Sequence, residues 1–340
     1  MYATLTLPNC SAPSEALPVR KLRVRSADDL RNALRQGRDG VLVLDGSDMD
    51  RVLHVDAAAG IVELQAGASW ETLSKALAGH GIALDAFAAT PGLPATVGEA
   101  MAQAHAGPDG LPVTAHVRAI ALFTADGELR RADAGRHGEL FRMALGGHGV
   151  VGVLYSLTLS LDTLRASAAN ALAPVEMRFT DPAAAPGLAD LIECLVPPES
   201  LGDFLSSVRA LAAERRVALH SISVRRYRPE TARSALCWSR REWAGVEVRF
   251  GLKATIGASV AAAEVRRALL AAALELGGAF PLRDLRDASR AQLLACYPAI
   301  EGFLADKRRG DSRERLQNGW YRRAIATLRS ESCPVRWEKS

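Results

Sequence analysis

The stretch Gly60–Leu84, GIVELQAGASWETLSKALAGHGIAL, decides the fold class of the first half of this chain. With Gly60 as a turn, its beginning predicts the second of two consecutive strands. Ser69 then precedes a run with helical spacing, and Glu71 lies in the first turn, which is typical of an N-capped helix. Gly79 or Gly81 ends that helix. Strands followed directly by a helix indicate a domain that mixes the two.

The same pattern extends outward in both directions. Lys21–Ser26 and Asp39–Asp45 predict strands, and between them a helix begins after the N-cap Ser26 and stops at Gly37. Downstream, Val117–Asp133 predicts a hairpin in which Asp126 and Gly127 form the turn. Next, His137–Leu161 predicts a short helix, a glycine-rich joint and a long strand. The N-terminal lobe is therefore predicted to be α+β.

The second half changes character after residues 183–190, AAAPGLAD, which we predict to be a linker. It is predicted to be a lobe of strands backed by helices. The predicted helices are 197–216, 259–278 and 288–309, the last broken at Pro298, and the predicted strands are 220–228 and 248–255.

Composition limits the classes of function. The chain has 340 residues, 49% hydrophobic and 24% charged, which is typical of a soluble protein of about two domains. A net charge of +4 with scattered basic residues argues against nucleic-acid binding. No signal peptide or membrane span is evident, so we expect a cytoplasmic location. The five dispersed cysteines predict reduced thiols without a disulfide framework, and the histidine spacing predicts no metal site.

The order of several segments carries a family resemblance. They are Gly60–Leu84, Ala95–Pro108 (ATVGEAMAQAHAGP), Val117–Asp133, Glu139–Leu161 and Ala288–Arg323. In this order they resemble the vanillyl-alcohol oxidase/p-cresol methylhydroxylase (PCMH) superfamily of FAD-linked oxidases. The last segment is similar to the C-terminal end of its sugar-alcohol oxidase and decaprenyl-phosphoryl-ribose oxidase branch. The resemblance runs from about Lys21 to Arg323.

The resemblance implies a two-lobed protein with a PCMH-type FAD-binding domain over residues 1–165. A substrate or cap domain of antiparallel sheet and helices would cover 166–320, and a tail over 321–340 would begin by packing back on the FAD domain. It implies FAD as a non-covalent cofactor, and a small-molecule substrate whose alcohol-type carbon gives a hydride to flavin.

The resemblance also assigns site residues. The segment 90–110 would be the flavin loop, and glycine turns of the first lobe would let backbone N–H groups reach the pyrophosphate. The flavin contacts would be Thr96, Val97, Gly98, His105 and Gly107. The adenine contacts would be Gly152 and Val153, and the substrate or flavin would be anchored by Lys307 or Arg322.

This chain departs from the family pattern at the cofactor. The glycine-rich phosphate turn between the first helix and the next strand is missing, and the nearest glycines, Gly40 and Gly46, each lie beside an aspartate that would repel phosphate. Glu99 replaces the second glycine of the family's flavin loop. Ala106 stands in place of a histidine that in some members bonds to flavin, and His105 is one residue early. We therefore expect a degenerate site with weak or absent FAD binding.

The cap and tail depart as well. Pro281, Asp284 and Leu285 stand where the family has two tyrosines and a histidine facing flavin and substrate. Ser312 replaces a proline. Residues that support the fold match better than residues that would contact the cofactor.

The sequence is therefore consistent with two different functions. One is an FAD-dependent oxidoreductase, and the other is a flavin-free relative whose cleft binds another ligand or whose surface holds a partner subunit. Several individual residues also have two possible roles. Glu99 is either a general base or a solvated carboxylate, and Gly146–Gly149 either contacts adenine or only forms a turn. Trp238 and Trp243 either form a lid over a pocket or belong to the core. We expect five histidines to lie at the surface: His54, His80, His116, His137 and His220.

Overall fold

The computed structural model of the protein describes residues 2–6, 19–35, 41–46, 48–179, 188–230, 234–252 and 257–330. Two compact units are present. The first unit comprises Met1–Leu172, Arg228–Arg241 and Ala299–Tyr321, and the second comprises Ala173–Tyr227, Glu242–Pro298 and Arg322–Ser340. The first unit thus includes two segments from the second half of the chain. The domains predicted from the sequence, divided at residues 165 and 320, are each a single continuous segment.

The first unit holds two sheets. Its elements up to residue 169 are β1 (Tyr2–Thr6), β2 (Val19–Arg23), α1 (Ala27–Arg35), β3 (Val41–Asp45), β4 (Val52–Asp56), β5 (Ile61–Gln65), α2 (Trp70–Ala78), α3 (Asp85–Ala88), α4 (Val97–Ala102), β6 (Val117–Phe123), β7 (Leu129–Asp133), α5 (Gly138–Ala144), β8 (Val153–Ser160) and α6 (Leu161–Ala169). One sheet has the order β1-β3-β2, with β2 and β3 parallel, and the other has the antiparallel order β4-β5-β8-β6-β7.

Local signals place α1, α2 and the β6–β7 hairpin where the sequence predicts them. The Ser26 and Ser69 hydroxyls accept from the backbone N–H groups of Asp29 and Thr72, which begins α1 and α2 at the predicted caps. Gly127, at φ +79°, closes the predicted hairpin between β6 and β7. The predicted helix stop at Gly37 lies outside the described residues. The long predicted strand ends at Ser160, because α6 begins at Leu161.

The larger core of the first unit lies between the five-stranded sheet and α2, α3, α4 and α6. Trp70 and Phe87 stack there with ring centroids 4.7 Å apart. His116 meets the edge of Phe87 at 5.7 Å and is 1% exposed. The expectation that His116 lies at the surface is therefore wrong. It sits in the 3-10 turn Val113–His116 just before β6, where the chain enters the core.

The second unit is an antiparallel sheet with helices. The remaining elements of the chain are β9 (Val175–Arg178), β10 (Leu188–Val196), α7 (Leu201–Glu214), β11 (Ala218–Tyr227), β12 (Trp243–Leu252), α8 (Ala258–Glu275), α9 (Arg290–Cys296), α10 (Ile300–Gly310) and α11 (Gly319–Arg329). The sheet order is β10-β12-β11-β9. Helix α10 belongs to the first unit, and the boundary between the units falls inside α11, after Tyr321.

The prediction of a linker at residues 183–190 is wrong for the part of that range that the structure describes. Residues 188–190 begin β10, pairing with the end of β12, and residues 183–187 lie outside the described residues. The predicted break at Pro298 is confirmed, because it separates α9 from α10. No helix within the described ranges is long and apolar enough to cross a membrane.

The environment of Cys194 makes its thiol unreactive. The side chain is fully buried, and burial, assisted by the negative charge of Asp284, raises its pKa to about 12. Because the thiolate is the nucleophile, we expect native Cys194 to resist alkylation near pH 8, while the half-buried Cys296 reacts. Peptide mapping by mass spectrometry, with the denatured chain as control, tests this. Equal labelling of the two cysteines in the native protein would contradict it.

Candidate functional site

The segment Thr96–Thr114 (hereafter the 96–114 segment) contains most of the predicted flavin contacts. Thr96 caps α4 by accepting the Glu99 N–H at 3.3 Å. The N–H groups of Val97 and Gly98 donate to the backbone oxygens of Ala68 and Ala66 at 2.8 and 2.9 Å. A Cβ at Gly98 would lie 2.5 Å from the Ala66 oxygen, so only glycine fits. Thr96, Val97 and Gly98 thus dock the start of α4 on the end of β5.

Further along, several backbone N–H groups of the 96–114 segment are bonded within the protein. The His105 N–H donates to the Ala100 oxygen at 3.0 Å, and the Gly107 N–H donates to the Leu111 oxygen at 2.6 Å. Other recorded donations from this segment come from the N–H groups of Ala100, Gln103, Ala104, Gly110, Leu111 and Val113. A bound pyrophosphate needs several such donors directed at its oxygens. In this conformation the recorded donors are directed at acceptors within the protein, so these N–H groups do not fit the FAD pyrophosphate.

The side chain of His105 is held locally. Its Nε2 lies 3.1 Å from the Gln103 Oε1, and the Gln103 amide in turn donates to Glu99 at 3.2 Å. Ala104, just before it, has a left-handed φ of +48°. Glu99 is half-buried and shares this short chain of polar contacts. His105 is therefore a partner of Gln103 in this conformation.

The end of the 96–114 segment carries buried polar groups that the sequence reasoning missed. Asp109, 3% exposed, accepts from the Ser167 hydroxyl at 2.7 Å and pairs with the Arg228 guanidinium at 3.0 Å. The Thr114 hydroxyl donates to buried Glu230 at 2.7 Å. Since Arg228 and Glu230 lie more than a hundred residues downstream, no local pattern indicates either contact.

The glycine joint before β8 lies against the same segment. The N–H groups of Gly146 and His148 donate to the oxygens of Met101 and Ala102 at 3.1 and 2.7 Å. His148 stacks on Trp320 with ring centroids 4.3 Å apart. Gly146 and His148 both have a left-handed φ, which supports the reading of this joint as a turn.

The predicted adenine contacts are packed in the sheet. Val153 is 3% exposed and pairs with Phe123 across β8 and β6. A Cβ at Gly152 would lie 2.2 Å from the Leu122 Cδ1 and 3.0 Å from the Phe123 oxygen. The close approach at Gly152 is thus made by the neighbouring strand.

The two predicted anchors differ in exposure. Lys307 is fully buried, its amine 2.9 Å from the Asp311 carboxylate and 4.5 Å from the ring centre of Tyr321. Asp311 also accepts the N–H groups of Arg315 and Leu316 at 2.9 and 2.8 Å. This arrangement ties the end of α10 to the following turn. Arg322, on α11, is exposed.

A cavity of about 550 Å³ lies in the first unit beside α5 and α10. Its wall is formed by Thr124, His137, Gly138, Glu139, Leu140, Met143, Val151, Asp306, Lys307, Arg309 and Gly310. None of these residues belongs to the 96–114 segment. The Arg309 guanidinium pairs with Asp306, so two of the charges in the wall already neutralise each other.

In the second unit, the positions that depart from the family cap pattern are structural. Leu285 is 1% exposed. Asp284 accepts two hydrogen bonds from the Arg286 guanidinium, each 2.9 Å, and a third from the Arg286 backbone N–H at 3.4 Å. Burial opposes ionisation of Asp284, but the Arg286 hydrogen bonds and charge hold the pKa of that carboxyl below its usual value. Among the described residues, no group of three or more His, Cys, Asp or Glu side chains is placed to hold a metal ion.

Comparisons with known proteins agree on an FAD-linked fold. The model of an FAD binding domain matches residues 20–133. The chain is 31% identical over 126 residues to decaprenylphosphoryl-beta-D-ribose oxidase of Mycolicibacterium smegmatis, covering 36% of this chain and 27% of that protein. It thus spans about a quarter of the length of that curated relative.

Likeness of fold extends over most of the chain. A solved structure, a variant of Physcomitrella patens BBE-like 1, matches with a TM-score of 0.63 and 13% sequence identity, covering 93% of this chain and 96% of that one. The predicted α+β fold of the PCMH type is therefore confirmed. The domain match and the oxidase relative support FAD as the cofactor.

Proposed function

We propose that this chain is an FAD-linked oxidoreductase acting on an alcohol-type carbon, because an FAD binding domain matches residues 20–133 and an FAD-linked fold and an oxidase relative support the same class. The match of an FAD binding domain to residues 20–133 carries this proposal, since that range includes strands of both sheets of the first unit. When bound, FAD supplies the hydride acceptor. The proposed substrate is a small molecule with an oxidisable alcohol.

In this proposal, the predicted site residues would contact FAD through their backbone atoms and by packing against its rings. Thr96, Val97, Gly98, His105 and Gly107 would lie against the flavin, and Gly152 with Val153 would lie against the adenine end. The N–H groups of His105 and Gly107 would have to leave their present backbone partners before they could serve an anionic cofactor. Use of these two donors by FAD would therefore require a local rearrangement of the 96–114 segment.

Absorbance spectroscopy of the purified chain tests the use of FAD. We expect the visible flavin band to appear on addition of FAD, and thermal stability to rise with FAD concentration. A ligand at 100 times its Kd stabilises a native protein by about 2.7 kcal/mol. Removal of FAD by gel filtration should reverse both effects, because no covalent bond is proposed. A colourless protein with no thermal response to FAD would contradict the proposal.

The substrate class is tested on the FAD-loaded protein. Under anaerobic conditions, sugar alcohols and other small alcohols should bleach the flavin band, and matched compounds without the hydroxyl should leave it unchanged. Bleaching by neither set would refute the alcohol substrate while leaving FAD binding established.

A second candidate function is a flavin-free relative that binds another ligand or a partner subunit. The bonding of the 96–114 segment within the protein favours it, since that conformation presents its recorded donors to the chain itself. The same FAD titration separates the two candidates. Under this alternative, the spectrum and the melting temperature stay unchanged at every FAD concentration tested.

A further inference from the structure

The turn after α10, residues 311–316, contacts segments that belong to both sheets of the first unit. The Arg315 guanidinium donates to the backbone oxygen of Ala125 at 2.8 Å and to that of Leu34. Ala125 lies in the turn between β6 and β7 of the five-stranded sheet, and Leu34 lies in α1, which connects β2 to β3 of the three-stranded sheet. One side chain therefore holds two segments from different sheets.

Both oxygens need a donor from outside their own segment. The last four carbonyl groups of a helix have no partner within it, and that of Leu34, one residue before the end of α1, is among them. In the β6–β7 turn, the recorded bonds use the oxygens of Thr124 and Glu128. Leu34 and Ala125 are 0% and 6% exposed, so withdrawal of Arg315 leaves two buried oxygens without this donor.

The same turn completes the smaller core of the first unit. Leu316 is 2% exposed, and its N–H and that of Arg315 both donate to the Asp311 carboxylate, which Lys307 neutralises. The smaller core draws its members from α1 and from both sheets: Val24, Leu30, Leu34, Leu44, Met49, Phe123, Ala125, Val153 and Leu316. The turn thus supplies an apolar side chain to this core and a cation at its edge.

A second contact between α1 and the β6–β7 turn lies at the surface. The Arg35 guanidinium is 2.5 Å from the Glu128 carboxylate, with side chains 52% and 48% exposed. Ion pairs exposed to this degree contribute little to stability. Loss of the Arg35 pair should therefore matter less than loss of Arg315.

We propose that the turn 311–316 is a latch, and that the smaller core opens as a separate part of the first unit when Arg315 releases the two oxygens. None of the described residues of the larger core lies in the latch, so the larger core should stay closed. The FAD binding domain match ends at residue 133. Opening within the matched range would thus be controlled by a segment far outside it. This inference does not depend on FAD being bound.

Methionine oxidation by dilute hydrogen peroxide measures the opening of each core separately. Met49 in the smaller core is 2% exposed, and Met101 in the larger core is 0% exposed. A buried thioether reacts when opening brings it to solvent. Peptide mapping by mass spectrometry gives both rates from the same sample, so Met101 is an internal control.

Substitution of Arg315 tests the latch. In Arg315→Leu, Met49 should be oxidised about tenfold faster than in the wild type, because two buried oxygens lose a donor, while the Met101 rate should stay unchanged. Arg315→Lys keeps the charge without the planar fork and should give an intermediate Met49 rate. The matched control is Arg35→Leu, which should change the Met49 rate less than about threefold.

The wild type provides a test that needs no substitution. Increasing urea below the main unfolding transition should accelerate oxidation of Met49 before that of Met101. Circular dichroism follows the main transition and confirms that each variant is folded. If Arg315→Leu fails to fold, the Arg315→Lys variant and the urea series still decide the question.

Three results would overturn the latch. These are an unchanged Met49 rate in the folded Arg315 variants, equal acceleration of Met49 and Met101, and simultaneous exposure of the two methionines in urea. The last two would mean that the first unit opens only as a whole. The FAD titration described above is independent, because its failure would remove the proposed function and leave the latch in place.

Discussion

Replacing Gly147 by alanine is expected to destabilise the first unit by about 3 kcal/mol. A Cβ at this position would lie 1.9 Å from the Met143 oxygen and 3.2 Å from the Phe303 Cζ. The nearer neighbour is backbone at the end of α5, so it cannot move aside without distorting the helix or the glycine joint. Thermal melting followed by circular dichroism should show a large drop in the midpoint.

Gly302 provides the matched control, since it lies within α10 and an added Cβ would meet no atom within 4 Å. Gly302→Ala is expected to stabilise the protein by about 0.5–1 kcal/mol, because alanine loses less conformational entropy in a helix. If both substitutions changed the melting midpoint equally, the close approach at Gly147 would have no energetic weight, and the packing of the glycine joint described above would be refuted.

Replacing Lys307 by methionine is expected to cost about 3–5 kcal/mol of stability, because it leaves the Asp311 carboxylate buried without its cation. Both side chains are almost completely buried, and the amine–carboxylate distance is 2.9 Å. Asp311 also accepts N–H groups from Arg315 and Leu316, so its burial is coupled to the turn after α10. Chemical denaturation of Lys307→Met against the wild type measures this loss.

The pair Lys75 and Glu71 is the control, with the same spacing of four residues on α2 but side chains 75% and 71% exposed. Lys75→Met should change stability by less than about 1 kcal/mol. The double variant Lys307→Met with Asp311→Leu should recover part of the loss, because no charge remains buried. If Lys307→Met were as stable as Lys75→Met, the stabilising role of the Lys307–Asp311 ion pair would be refuted, and ligand anchoring would again be the better explanation for Lys307.

The Lys307 amine cannot bind Asp311 and anchor a substrate or flavin equally well. A cation that neutralises a buried carboxylate has its charge already balanced, and a second anion would have to compete with Asp311. The exposed Arg322 meets no such competition from burial. Substrate anchoring is therefore better sought first at Arg322, with Arg322→Ala and the KM of the FAD-loaded protein as the readout.

Much of the fold could be predicted because its signals are local. Ser26 and Ser69 cap the helices they precede, and Gly127 closes the hairpin it was assigned to. The resemblance of the ordered segments to the PCMH superfamily predicted the type of fold, which the similarity to a solved structure confirms. The start of β10 at Leu188 escaped prediction, because alanine, proline and glycine around it are typical of a linker.

For the candidate site, the sequence predicted which segment forms the loop but not which distant residues contact it. The sequence places Thr96, Gly98 and His105 in one loop, and it identifies Glu99 and Ala106 as departures from the family pattern. The partners of that loop were out of reach, because hydrogen bonds to distant residues leave no periodic or capping signal.

By itself, the sequence determined those helix caps, turns, strands and helices whose signals lie within a few positions of one another, such as the caps at Ser26 and Ser69 and the turn at Gly127. Only the tertiary structure decided that residues 228–230 and 234–241 pack with the first unit, which carboxylate Lys307 neutralises and that His116 is buried. These features depend on which distant segments exclude water together. That choice is made by the packing of the whole first unit.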